Sequence, residues 1–191
     1  MNVNLIVVDD FYDNVDEVRK FALSQNFSVK GNYPGVRTLN HINESTKHTI
    51  EKILRPYAGK VTAWYDGVGE YTGAFHMATA IVRSWVHVDN YNNWAGVLFL
   101  TPNAPLESGT GFYRSKIDGS LTWNQGDSQD IWDFSNDMTK WELVSEVHNI
   151  YNRLILFRAN QWHTAQTYFG NNQETGRLSQ LFFFDTEYWS I

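Results

Sequence analysis

The first sixty residues carry two helix-like hydrophobic patterns separated by a turn-rich stretch. In residues 14–25 the apolar side chains recur every three or four positions, which predicts an amphipathic helix. Residues 45–57 repeat this pattern and end near a proline and a glycine, which predicts a second helix. Residues 1–10 have an apolar run of only four and no basic region, so we interpret them as a strand and not as a signal peptide.

From about residue 61 onward the pattern changes to short apolar or alternating segments, which are typical of β-strands. The predicted strands are residues 74–88, 95–100, 111–114, 143–147, 153–157, 163–168 and 177–184. Many short strands with turns between them indicate a sandwich or barrel, so the predicted class is mostly β (α+β). The polar, tryptophan-bearing segment 115–136 is interpreted as an excursion from the sheet, where substrate is often bound.

The predicted strand 74–88 and the residues just after it have two different faces. Arg83, Trp85, His87 and Asp89 fall on one side by the period of two, while alanines and valines fall on the other. We expect the polar side to line a cavity. We expect the apolar side, which needs cover, to pack against the two predicted helices.

Composition limits the possible classes of protein. A chain of 191 residues suits one domain, with residues 1–60 as a helical cover and 61–191 as a β core. A net charge of −6 argues against bulk binding of nucleic acid or an anionic membrane surface. The absence of cysteine excludes disulfides and thiolate metal sites. No stretch is apolar for long enough to span a bilayer, so the expected location is cytoplasmic.

Five polar residues are candidates for a metal and cosubstrate site. His87 and Asp89 lie two apart on a predicted strand, and His163 follows a second apolar strand. Two imidazoles and one carboxylate are the protein ligands of mononuclear non-haem iron. Arg177 and Ser179 open the last strand, and a guanidinium beside a hydroxyl can bind a carboxylate. Taken singly, these residues also fit a surface pair, a structural histidine and a rim salt bridge.

The remaining histidines lack a carboxylate at ligand spacing on a strand, and we interpret them as structural or surface groups. They are His41, His48, His76 and His148. Trp123 and Trp132 either contact substrate or anchor the long loop as core residues. Arg83 and Arg114 are candidates for binding an acidic substrate group at the cavity mouth.

In this order along the chain, the motifs resemble those of the 2-oxoglutarate and iron(II)-dependent oxygenases, especially the prolyl 4-hydroxylase-like ones. The likeness covers residues 85–185, including the strand-like segments 97–100, 108–113 and 152–157. It implies a double-stranded β-helix, or jelly roll, with helices packed on one sheet. It also implies that His87, Asp89 and His163 are catalytic metal ligands and that Arg177 and Ser179 bind 2-oxoglutarate.

The resemblance further implies a dioxygenase that uses Fe(II), 2-oxoglutarate and O2, with ascorbate as a reductant. The expected reaction is hydroxylation of a peptide or small-molecule substrate, with release of succinate and CO2. The carboxylate of Asp89 argues against halogenation, because related halogenases have a small residue at that ligand position. Phe99 stands where many relatives have a tyrosine that contacts 2-oxoglutarate, and the gap from His163 to Arg177 is longer than usual.

Two other functions fit parts of the pattern. One is a non-catalytic or zinc-binding, cupin-like jelly-roll module whose aromatic residues form a ligand groove. The other is hydrolysis or isomerisation at zinc or manganese held by the same ligands. Arg177 and Ser179 favour the oxygenase, because zinc hydrolysis requires no buried anion site. The sequence identifies neither the substrate nor the oligomeric state.

Overall fold

The structure, a computed structural model, describes residues 3–127 and 130–188. Within these ranges the two α-helices are α1 (Val15–Leu23) and α2 (Glu44–Ala58). The strands are β1 (Leu5–Val8), β2 (Val36–Arg37), β3 (Val61–Trp64), β4 (Phe75–Ala78), β5 (Trp94–Phe99), β6 (Thr110–Ser115), β7 (Trp141–Val147), β8 (Leu154–Arg158), β9 (His163–Ala165) and β10 (Arg177–Thr186). Short 3-10 helices occupy Leu106–Ser108, Asp130–Phe134 and Met138–Lys140.

The strands form two antiparallel sheets. The larger sheet has the order β1-β8-β5-β10-β4-β2, and β3 pairs with the C-terminal part of β10. The smaller sheet has the order β7-β6-β9. The mostly β, jelly-roll architecture predicted from the sequence is confirmed, although the first sixty residues also supply β1 and β2 to the larger sheet.

The two faces of the larger sheet are covered differently because strand side chains alternate. One face packs against α1 and α2, and its core residues include Phe75, Met77, Trp94, Leu98, Leu154, Leu156, Leu178 and Phe182. The helices contribute Ala22, Ile50, Leu54 and Ala58 to this core. The other face packs against the smaller sheet through Ala95, Phe99, Ile155 and Phe157. Each fully buried Leu or Phe side chain contributes roughly 1.5–3 kcal/mol, so both faces stabilise the fold.

The predicted strand 74–88 is shorter than expected. β4 ends at Ala78, and the chain then runs irregularly until His87 forms an isolated bridge with His163. Val86 and Val88 are buried, but they do not pack against the helices as predicted. That prediction is wrong because this segment leaves the larger sheet and reaches a separate core.

This separate core, the tryptophan cluster, consists of Val86, Val88, Tyr113, Trp123, Ile131, Trp141 and Trp162, with Trp132 packed against it. Ring centroids lie 5.4 Å apart for Trp132 and Trp162 and 5.0 Å apart for Trp141 and Trp162. Trp123 and Trp132 are therefore core residues of the 115–136 excursion, in which residues 128 and 129 lie outside the described ranges. No helix in the described part of the chain is both long and apolar enough to cross a membrane.

Candidate metal centre and adjoining cavity

The structure brings His87, Asp89 and His163 together. One ligand atom from each lies within 4.8 Å of the others. His163 Nε2 and Asp89 Oδ2 are 3.4 Å apart, and the two imidazole centroids are 4.4 Å apart. Residues separated by more than seventy positions thus present two nitrogens and one carboxylate to a common point.

Backbone hydrogen bonds fix the relative position of the three residues. The amide of His87 donates to His163 O at 3.0 Å, and the amide of His163 donates to His87 O at 2.9 Å. The Asp89 amide donates to Ala159 O at 2.8 Å. Burial of Val86 and Val88 in the tryptophan cluster anchors the alternate positions, so His87 and Asp89 project the other way.

Carbonyl oxygens orient both imidazoles. His87 Nδ1 lies 2.9 Å from Trp85 O, and His163 Nδ1 lies 2.8 Å from Gln161 O. Because a carbonyl only accepts, each Nδ1 carries the hydrogen and each Nε2 keeps its lone pair for a cation. This arrangement is the usual support of a metal-binding histidine.

Electrostatics favour the protonation states that a metal requires. Burial, followed by the neighbouring His163, lowers the pKa of His87 to about 4, so its imidazole is neutral near pH 7. Burial alone would raise the pKa of Asp89, but the bond to His163 and nearby positive charges hold it below its usual value. A neutral His87 imidazole beside an ionised Asp89 carboxylate fits Fe(II), with further coordination positions open.

A cavity adjoins these ligands, and Arg177 lies in its wall. The Arg177 side chain is 3% exposed, and its Nε donates to Ser108 O at 2.9 Å. Among the described residues no carboxylate pairs with it, and burial lowers its pKa. A buried cation without a counter-ion is costly, so this end of the cavity, the inner end, suits an anion.

The predicted partner of Arg177 is placed less directly. Ser179 is fully buried, and its hydroxyl has no hydrogen-bond partner among the described residues. It does not line the cavity, whereas Thr110 and Tyr168 do. The Arg177 guanidinium carbon lies 5.9 Å from the Tyr168 ring centroid and 5.3 Å from that of Phe99. A tyrosine missed by sequence reasoning therefore lies beside the arginine.

Strand pairing places two further residues, Arg37 and His76, in the cavity wall. Arg37 pairs with His76 across β2 and β4, and His76 pairs with Ser179 across β4 and β10. This row places Arg37 and His76 on the cavity side of the larger sheet, and both line the cavity. His76, interpreted from sequence as structural or surface, is 7% exposed, and its Nε2 lies 2.6 Å from Pro34 O.

In the sequence, the only local feature near Arg37 is the turn-rich stretch that precedes it. Gly35 has φ +79°, and a Cβ there would lie 2.2 Å from Met77 O. Glycine therefore lets the short strand β2 approach β4 closely. The arginines proposed from sequence for this role, Arg83 and Arg114, do not line the cavity. Arg83 is exposed, and Arg114 Nε donates to Glu142 at 2.9 Å.

Solved structures of 2-oxoglutarate-dependent enzymes share this fold. HygX from Streptomyces hygroscopicus, with nickel, 2-oxoglutarate and hygromycin B bound, has a TM-score of 0.63 at 11% identity, covering 99% of this chain and 85% of HygX. The carbocyclase SnoK from nogalamycin biosynthesis has a TM-score of 0.58 at 14% identity over 95% and 79% of the two chains. A prolyl hydroxylase from Trichoplax adhaerens has a TM-score of 0.54 at 13% identity over 95% and 84%.

The architecture is thus the jelly roll found in iron and 2-oxoglutarate-dependent oxygenases, and identities this low show the fold alone. The chain belongs to DUF6445, a family of unknown function, which it matches over residues 1–184. Among curated proteins, no sequence matches.

Proposed function

We propose that this protein is an iron(II)- and 2-oxoglutarate-dependent dioxygenase that hydroxylates a peptide or small molecule. The observation that carries the proposal is the convergence of His87, Asp89 and His163 in a cavity that also contains Arg177, a buried cation without a counter-ion among the residues that the structure describes. Zinc hydrolysis does not require such a buried cation. The oxygenase needs it for the distal carboxylate of its cosubstrate.

Each residue has a defined task in this proposal. His87, Asp89 and His163 would hold the cation, beside the cavity that their side chains line. Arg177 binds the far carboxylate of 2-oxoglutarate, and Tyr168 lies beside it. Bound Fe(II) and 2-oxoglutarate would supply an oxidation by O2 that hydroxylates the substrate and converts 2-oxoglutarate to succinate and CO2. Ascorbate serves as the reductant that keeps the iron ferrous.

The substrate class stays broad at this level. The neighbours include a prolyl hydroxylase crystallised with a peptide fragment and HygX crystallised with hygromycin B. Their TM-scores of 0.54 and 0.63 do not favour the prolyl hydroxylase-like subtype over enzymes of small molecules. The proposal therefore covers hydroxylation in general.

Calorimetry tests the proposal without a known substrate. Ni(II) is titrated into metal-free protein, and 2-oxoglutarate is then titrated into the nickel-loaded protein, with succinate as a control that lacks the chelating keto acid. We expect one metal per chain and 2-oxoglutarate binding that depends on the metal. Metal uptake without 2-oxoglutarate binding would instead support the zinc-binding module, and uptake of neither would refute both readings.

A further inference from the structure

A second space opens on the outer side of the metal ligands, and we call it the outer pocket. Its aromatic wall consists of Tyr33, Tyr65, Tyr71, Tyr91 and Phe183. His87, Asp89 and Arg37 line both the outer pocket and the cavity that contains Arg177. A molecule bound in the outer pocket therefore lies against the metal ligands, where a substrate must lie to be oxidised.

The cation of the outer pocket is Arg37. Its guanidinium carbon lies 3.6 Å from the Tyr33 ring centroid and 5.0 Å from the Tyr71 ring centroid. Among the described residues no carboxylate forms an ion pair with Arg37, and its side chain donates no hydrogen bond. Its Nε is buried without a partner, so the protein itself leaves the hydrogen-bonding capacity of this group unused.

Charge in the neighbourhood does not compensate Arg37. Asp89 is near enough for its charge to act on the guanidinium, but a metal bound to Asp89 takes up that charge. Glu70, the other carboxylate of the outer pocket, is exposed to solvent. Burial lowers the pKa of Arg37, a sign that the environment is poor in water, where an ion pair is stronger than at the surface.

Stacking on tyrosine does not block anion binding by arginine. The rings occupy the faces of the guanidinium, whereas its N–H groups point outward in its plane and match the two oxygens of a carboxylate. The Tyr33 hydroxyl is also buried without a hydrogen-bond partner, so a second polar group beside Arg37 is unused. A ligand with one carboxylate and a ring-containing body fits this combination of groups.

We propose that the substrate carries a carboxylate that binds Arg37 and an aromatic or similarly apolar ring body that packs among the tyrosines of the outer pocket. This inference rests on the proposed function, since it assigns the substrate class of that same site. It makes Arg37 a specificity-determining residue and separates its role from that of Arg177, which binds the cosubstrate.

Matched ligands test the proposal on the intact protein. The probes are phenylacetate, 3-phenylpropionate and indole-3-acetate, each compared with its primary amide, which has the same shape without the charge. They are titrated into protein saturated with Ni(II) and 2-oxoglutarate, and binding is followed by ligand-detected NMR. We expect at least one acid to bind at least about tenfold more tightly than its amide, since charge-assisted bidentate bonds are the strong ones.

Variants then assign the discrimination to Arg37. Arg37→Gln should bring the acid down to the affinity of its amide and leave the amide unchanged. Arg37→Lys keeps the charge but cannot donate the two parallel hydrogen bonds of a guanidinium, so it should retain part of the preference for the acid. Arg83→Gln, at an exposed arginine on the neighbouring segment, should leave both affinities unchanged. If Arg37→Gln does not fold, the acid and amide series in the unaltered protein still decides whether a carboxylate is recognised.

The outcomes separate this inference from the proposed function. If 2-oxoglutarate binds but no acid binds better than its amide, the substrate class is wrong and the oxygenase stands. If Arg37→Gln weakens 2-oxoglutarate binding in place of acid binding, Arg37 belongs to the cosubstrate site and the inference is overturned. If neither nickel nor 2-oxoglutarate binds, the oxygenase fails, and the same acids titrated into the metal-free protein support or overturn the carboxylate site by themselves.

Discussion

The inner end of the cavity and the outer pocket, which together we call the two ends of the site, each contain one arginine. The two ends hold this arginine differently. Arg177 lies on β10, is 3% exposed, and donates from Nε to Ser108 O at 2.9 Å. Arg37 lies on the two-residue edge strand β2 and is stacked on Tyr33 without an assigned hydrogen-bond acceptor among the described residues. The inner arginine is fixed in one position by the fold, whereas the outer arginine is fixed only on its aromatic face.

This difference suits two kinds of ligand. A cosubstrate that is the same in every turnover is best met by a cation held rigidly on a long, doubly paired strand. A substrate that differs between enzymes of one fold is met by side chains that can change without disturbing the sheets. In this chain most of those side chains come from residues 33–71, before β4 begins, although Phe183 lies on β10 together with Arg177.

The largest expected effect comes from removing His87, a proposed metal ligand that lines both ends. His87→Ala should weaken Ni(II) binding by at least about 100-fold, because even indirect supports of a metal site are worth about 10–100-fold. Calorimetry measures the loss, and binding of 2-oxoglutarate should disappear with it. His148→Ala is the control, because His148 is exposed and pairs only with Glu146, 3.1 Å away. Metal affinity that survives in the His87 variant would contradict the assigned ligand set.

The next-largest effect is a loss of 2-oxoglutarate affinity that should arise at the inner end alone. Arg177→Gln should lower 2-oxoglutarate affinity by about 2–3 kcal/mol, or roughly 30–150-fold, the scale of a hydrogen-bonded charge. Nickel affinity should stay the same, since Arg177 is not a ligand. Arg114→Gln, at a surface arginine paired with Glu142, is the control. Equal loss of metal and 2-oxoglutarate in the Arg177 variant would indicate misfolding, and no loss would place the cosubstrate elsewhere.

The inner end could be predicted from sequence because its residues lie in regular strands with a recognisable order. The period of two places Arg177, Ser179 and Leu181 on one face, and the structure has them there in β10. The fold class followed from the same alternation. What the pattern could not give was the end of β4, since the alternation continues to Val88 although the pairing with β10 stops at Ala78.

The outer end could not be predicted, because nothing local marks it. Val36 and Arg37 form a strand only through pairing with Met77 and His76, some forty residues away. The cover of Val86 and Val88 likewise depends on indoles contributed by distant segments. Tertiary pairing of this kind leaves no periodic signal in a two-residue strand.

A pH series probes the protonation of His76, whose pKa is affected by both arginines. Burial, with help from Arg37 and Arg177, lowers the pKa of His76 to about 3, against 6.5 for the unfolded chain. The unfolded state thus binds the extra proton first, so stability is full above pH 6.5 and falls as the pH drops toward 3. Between about pH 6.5 and 4.5 the loss should be roughly 2–3 kcal/mol at about 1.4 kcal/mol per unit.

Urea unfolding of the metal-free protein at several pH values measures this slope. His76→Gln, which can still donate to Pro34 O, should make the dependence clearly shallower, while the half-buried His87 retains part of it. An identical slope in the His76 variant and the unaltered protein would show that protonation of His76 on unfolding is not the source of the pH dependence.

The smallest effect concerns the tyrosine beside the inner arginine. Tyr168 lines the cavity next to Arg177, while Phe99 has no hydroxyl to offer. If Tyr168 donates to the distal carboxylate, Tyr168→Phe should cost about 0.5–1.5 kcal/mol in 2-oxoglutarate affinity, or roughly 2–10-fold. Calorimetry on nickel-loaded protein measures it, with Tyr113→Phe as the control, because the Tyr113 hydroxyl bonds to Gln166 at 2.6 Å. A weaker affinity for the carboxylate probes of the outer pocket, with 2-oxoglutarate unaffected, would assign Tyr168 to Arg37 and shift the boundary between the two ends.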